Sequence, residues 1–259
     1  MNNVFYIGAT ALNAQQTAVD ITANNIANMN TPAFKRGTVS FAELMTSGSS
    51  QATGASRTSW NDAAAGVSID PAMHVYTAGA LHQTGNALDL AVQGDGFIEL
   101  ASDANSNEAT LWRGGVLHIG ADGFLAAPNG QPLKAMISVP RDASGVTISP
   151  GGQVLATIPN QADPLEIGQI EIVMPTDTQA LRSTGDGVYR IQDDGVMLTR
   201  AKPGEENTGT LAQGFSEASN VSLSDELVSL MLYQRAYAAN ARLVQVGDEL
   251  MGIANGLKR

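Results

Sequence analysis

Residues 222–257, SLSDELVSLMLYQRAYAANARLVQVGDELMGIANGL, decide how the chain is organised. Ser222-Leu223-Ser224-Asp225-Glu226 supplies hydroxyl and carboxylate caps, with Ser222 and Asp225 at N-cap to N3 spacing, ahead of a long apolar repeat. Leu223, Leu230, Tyr237, Val244 and Met251 recur every seven residues, and Ala236, Leu243, Leu250 and Leu257 form an adjoining row. The pattern predicts one long helix with a coiled-coil seam.

The other end of the chain matches it. Phe5, Leu12, Val19 and Ile26 also recur every seven positions, so residues 1–30 read as a helix that Thr31-Pro32 breaks, because proline removes a donor and pushes its predecessor out of the helical region. Around this seam stand Ala, Thr, Gln and Asn, with Asp20 the single charged residue before Lys35. At roughly 1.5 Å per residue, 223–257 spans about 52 Å and 5–29 about 37 Å, so the two helices can pair along most of the shorter one.

The middle reads as β. Leu88–Val92, Phe97–Leu100, Val116–Ile119, Val146–Ile148, Val154–Ile158, Ile167–Val173, Val188–Ile191 and Val196–Leu198 are apolar runs. Gly94-Asp95-Gly96, Asp122-Gly123, Asn129-Gly130, Gly151-Gly152 and Asp194-Gly195 punctuate them as turns. Residues 45–66 lack periodicity and read as an extended or mobile connector. The expected fold class is α+β, with paired N- and C-terminal coiled-coil helices flanking a central, mostly antiparallel β domain. The expected partition is 1–34 (N-terminal helix), 35–75 (connector), 76–216 (β domain) and 217–259 (C-terminal helix).

Composition narrows the function. The chain has 259 residues, 43% of them hydrophobic, enough for a sizeable core. Lys+Arg 14 against Asp+Glu 25 leaves a net charge of −11, which repels nucleic acid and anionic lipid. Only 15% of residues are charged, against roughly 25% in an average soluble chain, so the surface is expected to lean on neighbours. No cysteine is present, so thiolate metal sites, disulfides and cysteine nucleophiles are excluded. No apolar run reaches the roughly 18 residues of a membrane-spanning helix, and Met1–Ala14 lacks the basic and apolar regions of a cleaved signal.

Motifs for chemistry are weak. Gly94-Asp95-Gly96-Phe97 has no third glycine and no following lysine, so a β-turn is the better reading than a nucleotide loop. Asp103–Asn107 starts like a calcium loop, but Glu108 and Gly114 stand where glycine and glutamate are needed. His74, His82 and His118 have no zinc-binding spacing, and no Gly-x-Ser-x-Gly elbow occurs. Asp193-Asp194 and Glu205-Glu206 read as solvated loop charge, and Lys35-Arg36 as a surface step after the first helix. No cofactor or metal is expected. Ordering a helix costs about 1–2 kcal/mol per residue in backbone entropy, more than one four-residue seam offsets, so the low-charge flanks are expected to pack on other copies.

Ala23-Asn24-Asn25-Ile26-Ala27-Asn28 followed by Thr31-Pro32-Ala33-Phe34-Lys35 resembles the amino-terminal signature of bacterial flagellar rod and hook proteins. Leu88–Phe97, Gly214–Glu217, Ser219-Asn220-Val221, Glu226-Leu227 and Gln234-Arg235-Ala236-Tyr237 with Asn240 resemble the same family, in the same order. Overall length, Leu12–Gln16 and Gln234–Tyr237 are most similar to its distal rod type, with proximal rod and hook types as rivals. Ala33 departs from the family's usual glycine, which argues against a left-handed backbone there.

The resemblance implies a non-enzymatic axial subunit of the basal body that stacks helically with itself and carries torque across the periplasm to the hook. It implies terminal helices paired antiparallel along an inner tube, and a β domain facing the P and L ring proteins. Its other implied partners are neighbouring rod proteins, the hook protein and the flagellar type III export apparatus, with no nucleic acid and no membrane insertion. The expected packing residues are Phe5, Leu12, Val19, Asn24, Asn25, Ile26, Asn28, Leu223, Leu230, Tyr237, Val244 and Met251; the three asparagines are expected to bond neighbouring backbone or other subunits. A different class, a secreted glycan-binding or hydrolytic β domain on coiled-coil ends, would expose tryptophan, for which Trp60 and Trp112 are the candidates.

Overall fold

A computed structural model of the chain describes residues 2–45, 64–102, 108–159, 161, 163–191, 195–205 and 208–257. Most of the expected 45–66 connector, Trp60, the Asp103–Asn107 loop and the Asp193-Asp194 pair lie outside these residues. The chain divides into two compact units: the described parts of Met1–Ala27, Gly37–Val75 and Val221–Arg259, and those of Asn28–Arg36 and Tyr76–Asn220. The second unit thus takes in residues 28–36 and 217–220, outside the expected 76–216 span.

The first unit is built from α1 (Asn2–Ala27), β1 (Gly37–Met45), β2 (Ala64–His74) and α2 (Leu223–Gly256). The β1 and β2 segments, expected as connector, form an antiparallel ribbon from Gly37 opposite His74 to Met45 opposite Ala64, with register shifts between Thr38 and Ser40 and between Leu44 and Met45. Helix α1 packs on both this ribbon and α2. The helices run antiparallel: a Cβ on Gly8 would stand 2.5 Å from Val244 Cγ2, while Asn25, later in α1, bonds Glu226, early in α2. Helix α2 starts where its caps predict, with the Glu226 N–H donating to the Ser222 carbonyl at 3.0 Å. No described helix is long and apolar enough to cross a membrane.

The second unit is all β, and every strand pair in it is antiparallel. Its largest sheet has the order β14 (Leu181–Gly185), β15 (Val188–Ile191), β6 (Thr110–Trp112), β5 (Phe97–Leu100), β13 (Ile172–Pro175), β16 (Leu198–Ala201). Three-stranded sheets join β17 (Thr210–Gln213), β4 (Asp89–Gln93) and β7 (Gly114–Val116), and β10 (Gly145–Ile148), β11 (Gln153–Thr157) and β12 (Leu165–Gln169). Two pairs complete it: β3 (Leu81–Gln83) with β18 (Phe215–Glu217), and β8 (His118–Ile119) with β9 (Leu125–Ala126).

Register explains why the central strands are continuously apolar. Val188, Trp112, Ile98 and Ile172 face one another across four strands and belong to the main core. Their neighbours Tyr189, Leu111, Phe97 and Val173 point to the opposite face and form a second core. Because side chains alternate with period two, a sheet buried on both faces needs apolar residues at successive positions. On the second core Tyr76, Phe97 and Tyr189 meet edge to face, with ring centroids 5.5–5.9 Å apart.

Candidate self-assembly surface

The face that α1 buries is made of small and polar residues. Ala14, Ala18, Thr22 and Asn25, spaced four, four and three apart, are fully buried, whereas Phe5, Leu12, Val19 and Ile26 are half-buried beside them. Small side chains allow close backbone approach, and Gly8 is the extreme case, since its missing Cβ leaves room for Val244.

On α2 the packed face carries Leu230, Val244 and Met251, half-buried, interleaved with Glu226, Tyr233, Asn240 and Gly247. Tyr237 and Leu223 on the same row are 41% and 40% exposed. The row that the sequence places beside the seam lies elsewhere. At about 100° per residue, Val228, Leu232, Leu243, Val246, Leu250, Ile253 and Leu257 fall about 100–180° round the helix from Val244. Their exposure runs from 50% at Val246 to 83% at Leu257. Helix α2 therefore has two apolar faces, one packed and one bare among the described residues. A bare apolar face this long is atypical of a soluble monomer's surface.

The asparagines divide. Asn25 is buried: its amide donates to the Gly37 carbonyl (2.8 Å) and to Glu226 Oε2 (3.2 Å), and its Oδ1 accepts from the Gly37 N–H (2.9 Å). Asn28 Oδ1 accepts from the Thr31 hydroxyl at 3.1 Å, closing the turn after α1. Asn24 is exposed.

Lys35 corrects the expectation of a surface step: it is 2% exposed, inside the second unit. Its Nζ donates to Glu217 Oε1 at 2.6 Å and to the Thr77 carbonyl at 2.9 Å. Arg113, also buried, donates Nε to Glu217 Oε2 at 2.9 Å and its two Nη groups to the Gly96 and Gly94 carbonyls. Burial alone would raise the Glu217 pKa, but Arg113 and then Lys35 outweigh it and hold the carboxylate below its usual value. Burial pulls Lys35 below its usual value; Glu217 opposes the shift without cancelling it, and the Arg113 charge adds to it. No local pattern in the sequence marks this cluster, since Ser216 and Ser219 flank Glu217 and its partners lie far along the chain.

Ala33 supplies a second correction. It is left-handed, with φ of +55°, and 1% exposed. Its N–H donates to the Glu217 carbonyl (2.8 Å), and its carbonyl accepts from the Tyr189 hydroxyl (3.2 Å). These bonds hold a conformation that alanine alone disfavours. Trp112 is fully buried and offers no platform for a sugar. Among the described residues no three His, Asp or Glu side chains come together as a metal-binding group.

Both helical ends and the β middle match flagellar families. Residues 5–35 match the flagella basal body rod protein family, 91–156 the flagellar hook protein FlgE/F/G D1 domain, and 212–257 the flagellar basal body rod FlgEFG protein C-terminal family. The flagellar basal-body rod protein FlgG of Agrobacterium fabrum is 32% identical over 96% of this chain and 97% of its own length. The chain belongs to the FlgG family of flagellar basal-body rod proteins. The FlgG of Borreliella burgdorferi is 30% identical over the whole of both chains. The flagellar basal-body rod protein FlgF of Caulobacter vibrioides is 29% identical over 96% of this chain and 95% of its own length. As a FlgG-family member the chain is a structural axial subunit of the flagellar basal-body rod. The amino-terminal family match runs from Phe5 in α1 through the turn to Lys35, and the carboxy-terminal one runs from the end of β17 through β18 and α2.

Proposed function

We propose that the chain polymerises helically with copies of itself into the distal rod, and that the rod transmits torque from motor to hook. In this reading α1 and α2 pair as a coiled coil lining the inner tube, and residues 76–216 face outward toward the P and L ring proteins. Proximal rod proteins and the hook protein adjoin it at the ends, and the flagellar type III export apparatus delivers it to the periplasm. The role is mechanical: the chain is not an enzyme and uses no cofactor.

The bare apolar row of α2 is the observation that carries this reading. Val246, Leu250 and Ile253 are left open by the described residues of their own unit, so neighbouring copies are the natural place for them, and Phe5, Leu12, Val19 and Ile26 offer half-buried apolar surface on α1. Electron microscopy of concentrated purified protein should show tubes or filaments, and Leu250→Asp should leave only monomers with an unchanged melting curve. Filaments from Leu250→Asp would refute the assignment of this row.

A further inference from the structure

Self-assembly leaves one buried feature of the second unit without a role. Glu217, the last residue of β18, accepts from Lys35 Nζ (2.6 Å) and the Gly79 N–H (2.8 Å) on Oε1, and from Arg113 Nε (2.9 Å) on Oε2. Its backbone carbonyl accepts from the Ala33 N–H. The chain first enters this unit at residues 28–36, re-enters it at Tyr76 and leaves it after Asn220. A single residue thus holds the first passage through Ala33 and Lys35, the re-entry through Gly79, and the body of the sheets through Arg113.

We propose that Glu217 is a latch: the β unit closes only when the segment 28–36 is seated against it, so residues 76–216 do not reach their native form independently of the first passage.

Glu217 is the member the cluster can least lose. Two cations share one carboxylate in a dry site, so removing Glu217 strands two like charges, while removing Lys35 leaves a neutral pair. Arg113 is fixed independently by the Gly94 and Gly96 carbonyls and by stacking 5.6 Å above Phe97, which keeps one cation in place to receive Glu217. The segment 28–36 seats in a close-fitting slot. A Cβ on Gly187 would lie 3.3 Å from that of Ala33, so the slot around Ala33 is already full. Lys35 and Glu217 are 182 positions apart, so the contact closes a very long loop, and the entropy of doing so is recovered only when the remaining bonds form with it. In a chain emerging from its amino end, the latch cannot set until β18 is available.

Amide hydrogen exchange on the full-length protein tests this. Glu217→Gln should speed exchange about tenfold or more at Ala33 and Gly79 together, since both segments are released at once. Lys35→Met should have a smaller effect, because Glu217 keeps Arg113. The double variant Lys35→Met/Glu217→Gln should exchange more slowly at Gly79 than Glu217→Gln alone, since one stranded cation is gone. Should Glu217→Gln fail to fold, an equally unfolded double variant sustains the latch, and a folded one overturns it, because the β unit would then close without the Lys35–Glu217 contact. Independent behaviour, with Gly79 as protected in Glu217→Gln as in the unaltered chain or the two single effects simply adding, also overturns it.

Discussion

The Asn25 side-chain amide pairs with both backbone groups of Gly37, donating to its carbonyl at 2.8 Å and accepting from its N–H at 2.9 Å. An asparagine near the end of α1 thereby acts as a strand partner for the first residue of β1. The pairing is buried, so no water replaces it when it is lost.

Asn25→Ala should therefore destabilise the first unit by about 2–4 kcal/mol, the cost of leaving a buried donor and acceptor unpaired. Asn25→Asp should do at least as much harm, since it loses the donor to Gly37 and sets a carboxylate beside Glu226. Denaturant unfolding followed at Tyr233 measures both, and a change below about 0.5 kcal/mol in either would show that the pairing contributes little.

Val244 and Leu250 are predicted to separate packing from assembly. Val244 lies against Gly8, so Val244→Asp buries an unpaired carboxylate, costing several kcal/mol, and should unfold the helix pair as well as abolish filaments. Leu250 is 59% exposed, and Leu250→Asp should block filaments alone. Circular dichroism melts beside electron microscopy distinguish them; equal melts for the two variants would contradict the assignment of faces.

Acid should open the β unit. The Glu217 pKa in the folded chain lies below the usual carboxylate value of 4.5, as does that of Glu99, which Lys134 holds at 2.6 Å and Arg200 at 2.8 Å. A carboxylate with a lowered folded pKa contributes stability that is complete above its unfolded pKa and is lost as pH falls through the folded one. Melting temperatures should hold from neutral pH to about 5 and fall below it. In Glu217→Gln, which starts lower, the acid decline should be shallower; an unchanged slope would mean that Glu217 does not titrate in this window.

At position 33 the size of the side chain should decide the outcome. Ala33→Val places a β-branched residue at φ of +55° in a full slot and should cost about 2 kcal/mol or more. Ala33→Gly relieves left-handed strain but removes a buried methyl group and frees the unfolded chain, so the opposing effects should leave stability within about 1 kcal/mol. Thermal unfolding of the two variants settles it, and a Val variant as stable as the Gly variant would remove strain as an explanation.

How much of this was legible in the chain follows from the range of the forces. Local rules operate within a few residues, and the α2 cap at Ser222 and the turn at Gly94-Asp95-Gly96 stand where they predict, whereas α1 ends at Ala27, ahead of Thr31-Pro32, in a turn that the Thr31 hydroxyl closes on Asn28. Heptad spacing also marked both rows of α2, since periodicity is a property of sequence. What spacing could not decide is which row is packed. Val244 is covered because Gly8 lets α1 approach it, while Leu243, one residue earlier, is 62% exposed.

The ribbon at Gly37–Met45 and Ala64–His74 went unread because its strands need each other and α1 to be recognisable. The same holds for Lys35. Beside Arg36 it looks like surface charge, and only a carboxylate 182 positions away makes its burial tolerable. Sequence alone determined the two long helices, the turn-rich β middle and the family, because each is written in spacing and short motifs. Tertiary structure decided which apolar face of α2 stays bare, that Ala33 is left-handed, and that Glu217 joins the beginning of the β unit to its end, because burial and charge pairing depend on residues brought together only by folding.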